Sequence, residues 1–193
     1  MEITTEIIKQ LREMTGVSVM QCKKALEEAD GDIGKAEVIL KKHSAATAAK
    51  KAERVLKSGV VGSYIHEGII GAMVILSCES DFVAKNPEFI ALARELAMQI
   101  TATDPKYIAS SEISDEARQS ALSVFQEEII DKPVDMQAKI LEGKLASYFQ
   151  DQVLLEQPLI KDETKKVNDL VNEATQKFGE RIEISKFVRI SIR

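Results

Sequence analysis

Few side chains in this chain combine reactivity with a suggestive setting. They are Cys22 and Cys78, His43 and His66, and the adjacent pair Asp81-Phe82. Both cysteines sit inside apolar patterns and make no close metal-type pair, so buried thiols of a reducing compartment are expected. Two histidines are too few for a typical zinc set, and neither adjoins a nucleophile motif. The carboxylate and phenyl pair differs from these. It lies within Glu79-Ser80-Asp81-Phe82-Val83-Ala84-Lys85-Asn86, after the apolar run Ile69 to Cys78 and before Asn86-Pro87-Glu88-Phe89. A buried strand therefore ends, and a helix with proline at its first position begins, around it. An apolar ring on such a turn is either folded back beneath it or offered to a partner, and the spacing leaves both readings open.

Other chemistry finds little support. Gly31-Asp32-Ile33-Gly34-Lys35 has the wrong spacing for a phosphate-binding loop and no strand before it. Neither a dinucleotide fingerprint nor a Gly-x-Ser-x-Gly elbow is present. The carboxylates fall at helix-surface spacing rather than as an acid and base pair. A binding protein is expected, not an enzyme, with no cofactor and no metal.

The 193 residues are 45% apolar and 30% charged, the balance of an ordinary globular protein. No apolar stretch approaches the ~18 residues that span a bilayer. Met1-Glu2-Ile3-Thr4 runs straight into a helical pattern without a leader, so a cytoplasmic protein with no membrane association is expected. Residues 1 to 58 carry eleven Lys or Arg against nine Asp or Glu, for +2, and the remainder carries −7. So mild an asymmetry argues against a nucleic-acid binder.

Three short helices are expected over residues 1–43. Ile3, Ile7, Ile8, Leu11 and Met14 share a face of the first, which Gly16 ends. Ser18 with Gln21 makes a capping box for the second, whose stripe is Val19, Cys22, Ala25, Leu26 and Ala29. Met20 lies off that stripe beside Lys24 and Glu27, either as an ordinary surface residue or as a contact. Asp32 caps the third helix, with Ile33, Ala36, Ile39 and Leu40 inward. Residues 44–57 are Ala-rich and basic, a connector whose Lys50, Lys51, Arg54 and Lys57 read as a solvated face rather than an RNA-binding patch.

From Gly59 the period becomes two. Val60 to His66 and Ile69 to Glu79 form a hairpin about Glu67-Gly68. The second strand is apolar on both faces: Ile70, Ala72, Val74, Leu76 and Cys78 on one, Ile69, Met73 and Ile75 on the other. A helix follows Asn86 with the stripe Phe89, Leu92, Ala93, Leu96 and Ile100. Asp104-Pro105 breaks it, and helices are expected at Ser114 to Ile130, Val134 to Gln150 and Asp162 to Phe178. Ile182, Ile184, Val188, Ile190 and Ile192 then give a last strand one apolar face, Lys186 excepted. The class is α+β: three helices, then a three-stranded antiparallel sheet packed with helices in 58–193. The second apolar sheet face, wet at ~25 cal/mol per Å², calls for cover by another copy of the chain.

Three stretches resemble the bacterial elongation factor Ts family. They are Leu11-Arg12-Glu13-Met14-Thr15-Gly16-Val17-Ser18-Val19-Met20-Gln21-Cys22 with the residues up to Asp32, Ser80-Asp81-Phe82-Val83-Ala84-Lys85-Asn86, and Leu154-Leu155-Glu156-Gln157-Pro158-Leu159-Ile160-Lys161-Asp162. In the second, Ser80 stands where the family usually has threonine, which keeps the hydroxyl. The chain departs from the family at Val188-Arg189-Ile190-Ser191-Ile192-Arg193, in place of an Arg-Phe-Glu-Leu-Gly-like strand. It resembles the compact form, with one core unit per chain and action as a homodimer.

The resemblance implies a guanine-nucleotide exchange factor for elongation factor Tu. It would bind the GDP form, promote GDP release and remain on the nucleotide-free partner. It also implies that residues 1–43 resemble a ubiquitin-associated domain that docks through Leu11, Val19 and Met20. Ser80, Asp81, Phe82 and Val83 would disturb the partner's Mg²⁺ and nucleotide site. A pure adaptor with no effect on nucleotide is the alternative from another class.

Overall fold

Capping chemistry places the N-terminal helices. In a computed structural model, which describes residues 3–129 and 134–192, α1 spans Thr5–Thr15, α2 Val19–Glu28 and α3 Ile33–Lys51. The assignments made above at Met1, Glu2, Ile130 and Arg193 lie outside the described residues. Thr4, Ser18 and Asp32 are the three N-caps, and their side chains accept from the N–H groups of Ile7, Gln21 and Lys35. Gly16, at φ 67°, ends α1 in the left-handed conformation that glycine adopts without penalty. Leu11, Val17, Cys22, Ala25, Leu26, Ala29, Ala36 and Leu40 form the core of this bundle.

Two apolar expectations fail at the α1–α2 corner. Met14 and Val19, placed inward by periodicity, are both exposed, and Val17 is buried instead. Val17 precedes the Ser18 cap and sits five residues before Cys22 in the helix interior, the spacing at which an apolar pair staples a helix entry. The Cys22 thiol also donates to the Val17 carbonyl at 3.6 Å. The third helix continues to Lys51, so much of the basic segment is helical.

Strands β1, Ser58–His66, and β2, Ile70–Cys78, form the predicted hairpin, and β5, Glu183–Ser191, completes a three-stranded antiparallel sheet in the order β1-β2-β5. Glu67 and Gly68 both have positive φ, as a type I′ turn requires. On β2 the alternation is clean. Ala72, Val74, Leu76 and Cys78 are buried, whereas Met73 and Ile75 face out.

The single apolar face expected for β5 is not observed. Ile184 is buried and Val188, Ile190 and Ile192 are exposed, with consecutive exposed residues at Ser185 and Lys186 where the alternation slips. A one-residue slip of this kind sends every later side chain to the opposite face.

Between β2 and β5 lie α4, Asp81–Ala84, and α5, Pro87–Thr103, followed by α6, Asp115–Ile129, α7, Val134–Gln150, and α8, Val167–Phe178. Asp162 to Lys166, expected as the first turns of α8, is instead β4, paired antiparallel with β3, Pro158–Leu159. The segment has no apolar stripe to hold a helix against a core. Asp162 Oδ1 also accepts from the Thr164 N–H at 3.1 Å, a local bond that competes with helix.

The chain divides into two compact units. One comprises Met1–Gly62, Ile75–Ala93 and Asn168–Ser185, and the other Ser63–Val74, Arg94–Val167 and Lys186–Arg193. In the first, α5 approaches β1 so closely that a Cβ at Gly62 would lie 2.4 Å from the Ala93 carbonyl, which only glycine permits. Lys41 pairs with Asp169 at 2.8 Å, fixing α3 to α8. In the second, Phe125, Tyr148 and Phe149 pack edge to face between α6 and α7. Buried Gln99 is satisfied by Gln157, the Pro158 carbonyl and the Ile160 N–H, so the Gln157-Pro158 stretch does structural service there.

Candidate functional site

The Asp81-Phe82 turn is a single helical turn, α4, rather than irregular loop. Ser80 is its N-cap and accepts from the Val83 N–H at 3.5 Å. Helical spacing then separates the apolar neighbours: Val83 is 3% exposed and anchors the turn, while Phe82 is 84% exposed. A core role for Phe82 is therefore ruled out. A phenyl ring left in water forgoes roughly 1.5–3 kcal/mol that burial would supply.

Polar contacts hold the turn in place from two sides. Asp81 Oδ1 accepts from the Ser58 hydroxyl at 2.7 Å, and its other oxygen lies 3.8 Å from the Lys85 ammonium. Asp81 thus ties the turn to the start of β1. Behind it, the Glu180 carboxylate accepts from the Glu79 N–H at 3.0 Å, the Ser80 N–H at 2.9 Å and the Ser80 hydroxyl. Glu79 reciprocates, accepting from the Arg181 N–H and from the Arg54 guanidinium at 3.2 Å.

The Arg181 guanidinium donates to the Arg54 carbonyl at 2.6 Å and to Glu183, and Lys51 donates to the Gly179 carbonyl. The Arg181 N–H and the Arg54 cation hold the Glu79 carboxyl below its usual range, despite some desolvation. Burial and the nearby Arg54 charge lower the Lys51 ammonium. Lys51 and Arg54 are therefore anchors of this frame, a role the solvated-face reading missed.

Sequence reasoning picked out Ser80, Asp81, Phe82 and Val83; it placed Glu79 in the same stretch without a role and Arg54 on a solvated face, and it missed Ser58, Glu180 and Arg181. One signal was available. Gly179, at φ 73°, ends α8 immediately before the charged pair Glu180-Arg181, which places both charges on a fixed chain exit.

The docking candidates separate by burial. Leu11 is 0% exposed inside the three-helix core, whereas Met20 is 70% and Val19 51% exposed, and exposed Met14 precedes the Gly16 corner. Met20, off the apolar stripe by periodicity, is indeed presented to solvent. Val19 and Met20 lie on α2 and the Phe82 ring on α4.

No group of three or more His, Cys, Asp or Glu among the described residues could hold a metal ion, and no described helix is long and apolar enough to cross a membrane. The arrangement is that of an α+β protein displaying apolar side chains in water on rigid supports, a surface suited to macromolecular recognition. Comparison with known proteins makes this specific. The model of the family described as "Elongation factor TS" matches residues 46–193. The proteins named elongation factor Ts of Thermodesulfovibrio yellowstonii and Thermotoga maritima are 46% and 47% identical over 193 residues, all of this chain and 97% of each relative. That of Carboxydothermus hydrogenoformans is 44% identical over 98% of this chain and 89% of its own length. The chain belongs to the elongation factor Ts family.

Proposed function

We propose that this protein is a guanine-nucleotide exchange factor for elongation factor Tu, acting in translation elongation in the cytoplasm. It works by binding, without a chemical step of its own. It binds the GDP form, inserts Phe82 near the partner's Mg²⁺ and nucleotide site, and stays on the nucleotide-free state until GTP enters. The observation that carries this reading is the exposed Phe82 ring on a turn held by Ser58, Glu79 and Glu180.

A ring carried on a backbone already fixed in position can spend more of its burial energy on displacing partner elements and less on ordering the turn. Each ~1.4 kcal/mol taken from the release barrier gives tenfold faster dissociation. Asp81 orients the turn through Ser58, while Ser80 and Val83 cap and anchor it. Residues 1–43 act as a ubiquitin-associated-like docking domain joined by 44–57 to the core in 58–193. Val19 and Met20 make its contact, and Leu11 holds the helices that present them.

We propose further that two copies pair through the sheet. Ile65, Met73, Val188, Ile190 and Ile192 line an open apolar groove of about 370 Å³. A second copy supplies the apolar face that would cover it. Light scattering at micromolar concentration is expected to give twice the 21.4 kDa chain mass, and a monomer would contradict the pairing.

The exchange reading is tested by mixing the protein with elongation factor Tu carrying fluorescent GDP and timing release. Acceleration is expected; binding without acceleration would favour the adaptor reading. Linkage adds a check, because GDP must weaken this protein's binding by the same factor by which the protein weakens GDP.

A further inference from the structure

A carboxylate that grips the backbone of the Phe82 turn lies a hundred residues away in sequence. Glu180 Oε2 accepts from two successive N–H groups, Glu79 at 3.0 Å and Ser80 at 2.9 Å, and Oε1 accepts the Ser80 hydroxyl proton. The hydroxyl proton is thereby committed to Glu180. Its lone pair is left facing the Val83 N–H at 3.5 Å, which makes Ser80 a cap with a fixed rotor. Cys78, buried beneath, donates to the Ser80 carbonyl at 3.3 Å, so the backbone of Ser80 is held on both sides.

The segment that carries Glu180 is itself tied down. Lys51 donates to the Gly179 carbonyl, and the Arg181 N–H donates to Glu79. The connection runs from Glu180 through the Ser80 hydroxyl to the first turn of α4, where Phe82 is the exposed residue.

We propose that Glu180 is a positioning residue for nucleotide release: it touches neither partner nor nucleotide, and it sets the direction in which Phe82 enters the partner. This deepens the exchange reading above and rests on it. A carboxylate accepting several N–H and O–H bonds is stronger than a neutral acceptor, and its loss leaves two part-buried N–H groups unpaired. The turn then samples several orientations, and only a fraction of encounters presents the ring correctly, which lowers the rate in proportion to that fraction.

The test is a double-mutant cycle on release of fluorescent GDP from elongation factor Tu at saturating exchange factor, with wild type, Glu180→Ala, Phe82→Ala and the double variant. Glu180→Ala is expected to slow release about tenfold. The concentration giving half-maximal rate should change less than about twofold, because docking through α2 is untouched. In the Phe82→Ala background the same substitution should have no further effect. Glu180→Gln, which keeps one acceptor oxygen, should recover part of the rate, and it carries the cycle if Glu180→Ala lowers the melting temperature below that of the assay.

Two independent slowdowns that multiply would overturn the proposal. So would an unchanged rate for both Glu180 variants while Phe82→Ala is slow. If Phe82→Ala itself releases GDP at the wild-type rate, the wedge reading fails instead, and the positioning role falls with it.

Discussion

The protein presents apolar side chains in two regions that are built in opposite ways. On α2, Val19 and Met20 are carried by a helix whose cap and corner, Ser18, Gly16 and Val17, are immediate neighbours and whose core runs from Leu11 to Leu40. On α4, Phe82 is carried by a four-residue turn too short to be stable alone. Its orientation depends on Ser58, Arg54, Glu180 and Arg181, drawn from sequence positions 23 to 102 residues away. In the proposed function the first region docks, where a rigid surface contributes affinity. The second is proposed to act as a wedge, where the direction of one ring decides whether partner elements move.

The comparison can be broken at several points. The largest effect is expected for Leu26→Ala in the three-helix core, which should destabilise that core by about 2–5 kcal/mol. Amide hydrogen exchange on α1 and α2 should accelerate while protection around α4 and β2 is kept. Equal loss in both places would show that the docking helices are not locally encoded.

Next comes the apolar groove. Ile190→Lys places a charge on the proposed pairing face and should give a monomer in light scattering, with unchanged far-ultraviolet circular dichroism. A persistent dimer would move the pairing elsewhere.

A smaller effect concerns acid. The Glu79 carboxyl is held below its usual value of 4.5, chiefly by the Arg181 N–H with help from Arg54. A carboxyl depressed on folding contributes stability that is present above its unfolded value and lost as pH falls through the folded one. Thermal midpoints should therefore fall more steeply below about pH 4.5 in wild type than in Glu79→Gln, whose curve should be flatter there. Identical curves would remove Glu79 from the frame around the turn.

The smallest effect is on the thiols. Burial raises both Cys22 and Cys78, so neither should react appreciably with a thiol reagent at neutral pH until the protein is denatured.

The contrast also explains how much could be read from sequence. Caps at Ser18 and Asp32, the Glu67-Gly68 hairpin and the buried face of β2 depend on residues a few positions apart, and periodicity reports these well. Periodicity places Met14 and Val19 inward, whereas both are exposed and Val17, between them in sequence, is buried. On β5, the slip at Ser185 and Lys186 reversed the faces, and no propensity rule marks such a site. The charged residues of Asp162 to Lys166 are compatible with helix or strand, and pairing with Pro158 and Leu159 decides for strand.

In the candidate site, the four turn residues were legible as a motif. Their frame was not, since hydrogen bonds between positions 79 and 180 leave no periodic trace.

The central claim is that α4 sets the rate of nucleotide release and α2 sets the affinity. Stopped-flow release of fluorescent GDP from elongation factor Tu, titrated with Phe82→Ala and separately with Met20→Ala, tests it most directly. Phe82→Ala should lower the saturating rate by about ten- to a hundredfold with little change in the half-saturating concentration. Met20→Ala should raise the half-saturating concentration several-fold and leave the saturating rate near that of wild type. If both substitutions move the same parameter, the division between the two regions is wrong.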